Sequence, residues 1–461
     1  MFLLVILEGK FMKDNSKRVG ARKWIIFVII GFAGQLAWSL ENMYLNSFLF
    51  DLGYENYEEM ITWTVALSAV TACLTTIIMG GLSDKLGRRK VFITAGYLLW
   101  GLSTASFGLI NVKNVATFFP AVAATQLASI FVIILDCLMT FFGSTANDAA
   151  FNSYVTRNVK ENNRGKVEGV LSVLPLMSML VITVLNGFTG KAHWDYFFYI
   201  IGGFVFLIGI ISFILIPIEK PEPKEEKYVR LVFEGFKPSV IKGNSILYIV
   251  LIADFIYCAA SQIVFPYMVI YFSNTLGFTG STFTILLGTV LIMGSLLSVL
   301  AGFVLDKFDK IKMIIPCSII YIVGLLLMFF VQKGDLVFAL IGGTIMMFGY
   351  IICATVINAL VRDHTPIGKE GVFQGVRMVF QVALPMVTGP YIAQVIVTNL
   401  ATETYVNEFG VTQNLPPKWI WIFGAAAFAV IVIPTIVLLV KDRKIHKLDN
   451  KGLLYDQDSK N

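Results

Sequence analysis

The chain has 461 residues, 57% hydrophobic and 14% charged, with a mean hydropathy of +0.76. That is too apolar for a water-soluble fold of this size. The net charge of +6 does not point to nucleic acid, because the basic residues sit in many short clusters at the ends of apolar runs rather than in one patch.

The opening stretch, Met1 to Leu7, is apolar but too short to span a bilayer, and it lacks a basic leader and a small-residue cleavage site. An ordinary start follows at Met12, so residues 1–11 are expected to be an extension with no structural role. Apolar runs then follow one another, each long enough to cross a hydrocarbon core of roughly 30 Å. Helix 1 is predicted from Trp24 to Phe50, helix 2 from Met60 to Gly80 and helix 3 from Val91 to Ile110. Asn111 to Gln126 reads as an outer loop with a partly inserted turn. Helix 4 covers Leu127 to Thr156, helix 5 Val167 to Gly187 and helix 6 Tyr196 to Ile216, where Pro217 ends it.

The hydrophilic stretch Glu219 to Lys227 then divides the chain. Tyr228 to Lys242 alternates apolar and basic residues and reads as an interfacial helix. The second set of spans is Ile246–Leu276, Phe283–Leu305, Met313–Val331, Leu336–Val361, Val372–Asn399 and Trp419–Val440. The predicted organisation is an all-α membrane protein of twelve transmembrane helices. It has an N-tail (1–23), a six-helix bundle (24–217), a linker (218–245), a second bundle (246–440) and a C-tail (441–461).

Orientation follows from the basic residues. With both termini on one side, that side holds 32 of the 36 Lys and Arg, and the other holds only Lys113, Lys191, Lys333 and Lys418. Both ends are therefore expected in the cytoplasm of a cell membrane.

The halves repeat. Asn152 to Val155, Gly165 to Val170 and Leu174 to Met177 match Asn358 to Val361, Gly371 to Val376 and Leu384 to Val387. The spacing from Asn to the first Gly is the same in both copies, and so is the spacing between the glycines. Duplicated halves are the arrangement of alternating-access carriers, with the substrate near the midplane between them.

Between helices 2 and 3 stands Gly80-Gly81-Leu82-Ser83-Asp84-Lys85-Leu86-Gly87-Arg88-Arg89-Lys90, with a weaker copy around Asp306. This resembles the signature loop of the major facilitator superfamily, and Arg164-Gly165 is similar to the pair that family carries between helices 4 and 5. The resemblance covers the whole chain and implies two pseudo-symmetric bundles. It also implies that Asp84 meets Gly371 at the start of helix 11 when the inside is shut. Gly80, Asp84, Gly87, Arg88, Arg164, Asp306 and Gly371 are the expected conformational latch. Within the family, Asn147 to Val155 and Asn42 to Leu45 followed by Asp51 look like the glycoside–pentoside–hexuronide:cation symporters, the melibiose permease group. That group's paired helix 2 aspartates, which hold sodium, have no counterpart, since Ala72 to Met79 offers only Thr75 and Thr76 as polar side chains. A proton is thus favoured over sodium.

An ionisable residue inside a membrane costs about 2.5–3.5 kcal/mol on insertion scales and marks a candidate site. Glu41, Asp136, Asp148, Asp254 and Arg377 are such residues. Ser144, Asp148 and Asn152 recur at helical spacing and form one polar stripe beside Asn147. The resemblance implies that an aspartate at the position of Asp148 binds the coupling cation. Glu41 reads either as a second, protonatable carboxylate or as a side chain snorkelling to the outer interface. Asp136 lies 12 residues before Asp148, about 18 Å along a helix, so the two cannot share an ion.

Asp254, Tyr257 and Gln262 on helix 7, with Arg377 and Gln381 on helix 11, complete the cavity candidates. Arg377 has three readings: a partner for Asp148, a clamp for an anionic substrate group, or a side chain reaching the cytoplasmic surface. Trp38, Tyr44, Tyr257 and Tyr267 offer rings for a sugar to stack on, or pack in the protein.

Cys73, Cys137, Cys258, Cys317 and Cys353 lie inside apolar runs without CxxC or Cys/His spacing, so no disulfide framework, zinc site or cofactor is expected. An enzyme is not expected either, since no nucleophile–base pair or phosphate loop is present. The reading is a monomeric secondary carrier taking up a sugar or glycoside with a proton. The alternatives are a proton-coupled drug or metabolite exporter, which Asp136 keeps open, and a non-transporting receptor.

A carboxylate at a helix N-terminus is stabilised by about 0.3–1 kcal/mol. Asp84→Ala should therefore favour the inward-open state. Cysteine accessibility from the cytoplasmic side, measured with an impermeant maleimide, should rise.

Overall fold

The computed structural model describes residues 19–86, 88–120, 123–159, 167, 170, 171, 173–189, 193–217, 235–305, 308–366 and 370–449. Among them, eleven helices are long and apolar enough to cross a membrane. In chain order these are α1 (Ala21–Asp51), α2 (Tyr57–Ser83), α3 (Arg89–Leu109), α4 (Ala124–Asn158), α6 (Trp194–Leu215), α7 (Ser245–Thr275), α8 (Gly280–Ser298), α9 (Lys310–Phe330), α10 (Leu336–His364), α11 (Gly375–Leu400) and α12 (Trp419–Arg443). The shorter helix α5 (Leu174–Thr189) makes twelve. Most of the expected first part of helix 5, the linker up to residue 234, and Asp306 fall outside the described residues.

Helices are forced here, because a spanning segment must satisfy every backbone N–H and C=O within itself. No hydrophobic force drives helices together in lipid, so small residues decide where they touch. In the first half α3 and α6 pack closely at Gly101 and Gly202. A Cβ on Gly101 would lie 2.3 Å from the Phe206 backbone nitrogen, and one on Gly202 would lie 2.4 Å from that of Ala105. In the second half α9 and α10 meet at Gly324 and Gly349 in the same way. Across the halves α2 packs on α11, α5 on α8 and α1 on α7. Gly187 of α5 faces Thr284 of α8, and Cys73 and Ile77 of α2 pack on Met378, Val379 and Ala383.

Two features exceed the sequence reading. The stretch after helix 3 holds a short helix, Val112–Phe118, capped by the Asn111 side chain accepting from the Asn114 amide at 2.7 Å. Between α11 and α12 a hairpin forms from β1 (Thr404–Val406) and β2 (Thr412–Asn414), antiparallel, with Tyr405 opposite Gln413. Among the described residues the helices also contain four π-helical segments: Glu41–Leu45, Ser144–Phe151, Tyr271–Thr275 and Val379–Ala383. Such wide turns re-aim side chains and recur at functional sites.

Filling the α3–α6 contact should be felt at once. Gly202→Leu is expected to destabilise the protein by about 1–3 kcal/mol through overpacking, lowering the melting temperature of the purified protein in detergent.

Candidate functional site

Polar side chains inside the first half gather in two places, and both involve a π segment. Glu41 opens the segment in α1 and is only 8% exposed. Its Oε1 accepts from Ser68 Oγ at 2.6 Å and from Thr140 Oγ1 at 3.4 Å, while the two hydroxyls lie 2.8 Å apart. Its Oε2 has no hydrogen-bond partner. Asp136 lies one turn before Thr140, is fully buried, and faces the same Ser68 and Glu41. Neither of its oxygens has a hydrogen-bond partner. Helices α1, α2 and α4 thus converge on two buried carboxyls. This places Glu41 in the bundle rather than at the outer interface.

Asp148 lies in the π segment of α4 and is half-buried. Ser144 Oγ donates to one of its oxygens and Asn147 Nδ2 to the other, each at 3.1 Å. Trp38 of α1 also faces it. Asn147 is held in turn, its Oδ1 accepting from Tyr97 at 3.1 Å, and Tyr97 also donates to the Ile30 carbonyl at 2.8 Å. Gly34 makes this possible: a Cβ there would stand 2.6 Å from Asn147 Oδ1 and 2.7 Å from the Tyr97 hydroxyl. Trp38 and Trp100 pack at 4.9 Å between ring centres, with Tyr97 beside them. Asn152 continues the stripe but is exposed. Asp51 lies apart, at the end of α1, accepting from Trp194 Nε1 at 3.0 Å.

Among the described residues, no ion pair reaches Glu41, Asp136 or Asp148. In the second half Asp254 is fully buried, with Oδ2 unpartnered, and the Arg377 charge acts on it without forming an ion pair. Arg377 Nη2 donates to Asn358 Oδ1 at 2.5 Å, and its Nε is unpartnered. The arginine therefore engages its own half rather than Asp148. Gln381 lies in the π segment of α11, and Gln262 packs under Gly389.

The aromatic candidates are structural in placement. Tyr257 is buried among Tyr321, Tyr350 and Phe428 and donates to the Tyr350 carbonyl at 3.0 Å. Tyr44 is buried against Phe197, and Tyr267 reaches the Glu58 carbonyl at 3.4 Å. Of the latch candidates, Arg88 is exposed just before α3, Gly80 lies in the helix Tyr57–Leu86 and Gly371 in the helix Glu370–Met378. Gly87, Arg164 and Asp306 lie outside the described residues, as does the side chain of Asp84. Sequence reasoning missed Ser68, Thr140 and Tyr97, which look like any lone hydroxyl on an apolar helix. Asn358 carried a signal, its place in the internal repeat.

A family profile described as Major Facilitator Superfamily matches residues 24–390 and 250–453. Among solved structures, a variant of the nucleoside transporter NupG superposes with a TM-score of 0.69 at 11% sequence identity, covering 90% of this chain and 99% of its own. NupG without that substitution gives 0.64 at 14% identity, with 90% and 98% covered. A D-xylose-proton symporter gives 0.65 at 14%, with 88% and 97% covered. Likeness at these identities is one of fold. No curated protein matches in sequence.

The Asp254–Arg377 arrangement has a testable energetic consequence. Removing the one opposite charge that acts on a buried carboxyl leaves that carboxyl uncompensated, whereas replacing both by apolar groups does not. Arg377→Leu is expected to lower stability by up to about 3 kcal/mol, and Asp254→Leu in the same chain should restore most of it. Melting curves of the two purified variants would show this.

Proposed function

The chain belongs to the major facilitator superfamily, and on that premise we propose that it imports a sugar or glycoside together with a proton. One observation supports coupling above the others. Three carboxyl groups, Glu41, Asp136 and Asp148, lie within the first half with no cation beside them among the described residues. A buried carboxyl without a counter-charge is a place where a proton can be taken up and released during a cycle. Asp148 is the coupling residue, because its neighbours Asn147, Trp38 and Tyr97 link α1, α3 and α4. A change of charge there reaches three helices at once.

Sugar is favoured for two reasons. The solved relatives are a nucleoside transporter and a D-xylose-proton symporter. The sequence also keeps the melibiose-permease-like pattern around Asn147 to Val155. Asn152, Asp254, Gln262, Arg377 and Gln381 are the hydrogen-bonding groups for hydroxyls. The bundles divide near residues 218–245, both termini face the cytoplasm of a cell membrane, and a monomer suffices.

The test is uptake of a radiolabelled sugar panel by cells, with and without a protonophore. One proton moving down about 100 mV is worth about 2.3 kcal/mol, roughly 50-fold accumulation. Asp148→Asn should bring accumulation down to equilibration while leaving exchange intact. Unchanged pH dependence in that variant would remove Asp148 from the coupling role. Extrusion of cationic dyes without sugar uptake would favour an exporter.

A further inference from the structure

The two halves are hydrogen-bonded to each other at one end. Among the described residues seven such bonds join them, and all seven run between residues 50–62 of the first half and Tyr267, Pro390 and residues 407–414 of the second. Five of the seven come from the β1–β2 hairpin. The basic-residue bias assigns this face to the exterior.

The chemistry of the contact is side-chain amides of one half donating to backbone carbonyls in the α1–α2 turn of the other. The helix end itself is closed from within, Leu52 N–H donating to the Phe48 carbonyl at 3.0 Å and Gly53 N–H to the Phe50 carbonyl at 3.1 Å. Here α1 ends at Asp51, and a tight turn through Gly53 (φ +77°) leads to α2. Gln413, only 1% exposed, donates from Nε2 to the carbonyls of Phe50 and Tyr54, both at 3.0 Å. Asn407 Nδ2 donates to the Gly53 carbonyl at 3.1 Å. Asn414 accepts from the Tyr57 hydroxyl at its backbone oxygen, 2.8 Å, and donates from Nδ2 to Glu58 Oε1 at 3.1 Å. Gly53 leaves room for this approach, since a Cβ there would lie 2.6 Å from both Asn407 Nδ2 and Phe409 Cδ2.

The hairpin is anchored at its other side. Thr275 of α7 donates to the Pro416 carbonyl at 3.0 Å, and Lys333 pairs with Glu403 at 3.7 Å. Asn407 shapes its turn, its Oδ1 accepting from the amides of Phe409 and Val411. A two-stranded hairpin is marginal by itself in water, so these anchors make it a part of the second half. Its grip on the first half is mainly polar, with Tyr405 packing on Phe50 at 5.9 Å between ring centres. On separation each carbonyl of the α1–α2 turn exchanges an amide for water, which makes the contact reversible.

We propose that the Thr404–Asn414 hairpin is a clasp, carried by the second half, which seals the outer entrance by bonding the α1–α2 turn and releases it once in every transport cycle. This rests on the alternating-access reading but not on the identity of the substrate. It is tested without substrate. Spin labels at Glu55→Cys and Glu408→Cys, both exposed and beside the contact, are placed in a chain whose five native cysteines are replaced. Distances are measured by pulsed electron resonance in lipid nanodiscs. The expected result is two populations, one short and one long. The long one should grow at least threefold with Gln413→Ala and less with Tyr57→Phe, which removes a single hydroxyl. A single short distance in every variant would make the hairpin a static brace and overturn the proposal. A single long distance in the unsubstituted clasp would overturn it too. The Tyr57→Phe comparison stands even if Gln413→Ala fails to fold.

Discussion

A carboxyl group has few inexpensive places inside a hydrocarbon layer, and the arrangement of this carrier depends on how it accommodates four of them. In the second half the solution is conventional: Asp254 faces Arg377, and Asn358 holds the arginine. In the first half no such partner stands near Glu41, Asp136 or Asp148 among the described residues. Hydroxyls and amides take that place, with Ser68 and Thr140 on Glu41 and Ser144 and Asn147 on Asp148. The halves repeat in sequence yet differ in charge. The uncompensated half suits proton exchange, and the compensated half suits a fixed network of donors and acceptors.

The backbone makes room for these groups. Glu41 and Asp148 both sit in π-helical turns, where a helix departs from its regular face. Gly34 lets the Asn147–Tyr97 pair pass beside α1, and Gly143 lets Trp100 and Trp38 approach α4. Glycine here serves proximity, in a medium where helices associate by packing. The outer contact follows a related logic. There the backbone amides of Leu52 and Gly53 close the end of α1, and Gln413 and Asn407 of the second half add donors to the carbonyls of Phe50, Gly53 and Tyr54.

Much of this fold was legible in the chain. Twelve apolar runs specify the spans without any packing information. The expected ends of helices 7, 9 and 10 lie within about three residues of those observed. The intramembrane carboxyls were legible too, because each is a conspicuous charge in an apolar run. Their partners were not. Ser68 and Thr140 are single hydroxyls on different helices, and periodicity says nothing about which residues on separate helices meet. Arg377 shows the same limit, since its position gave three readings and none of them named Asn358 or Asp254, the groups it meets.

What the sequence determined by itself is the architecture: a spanning segment must be helical and apolar over a fixed length, and both properties are local. What only tertiary structure decided is which polar atoms face each other. Glu41 faces Asp136 across three helices, Asp254 faces Arg377, and Gln413 bonds the turn after a helix that ends 362 positions earlier at Asp51. These are contacts between distant parts of the chain, set by close approach at small residues and by the need to satisfy buried polar atoms. No local pattern encodes them.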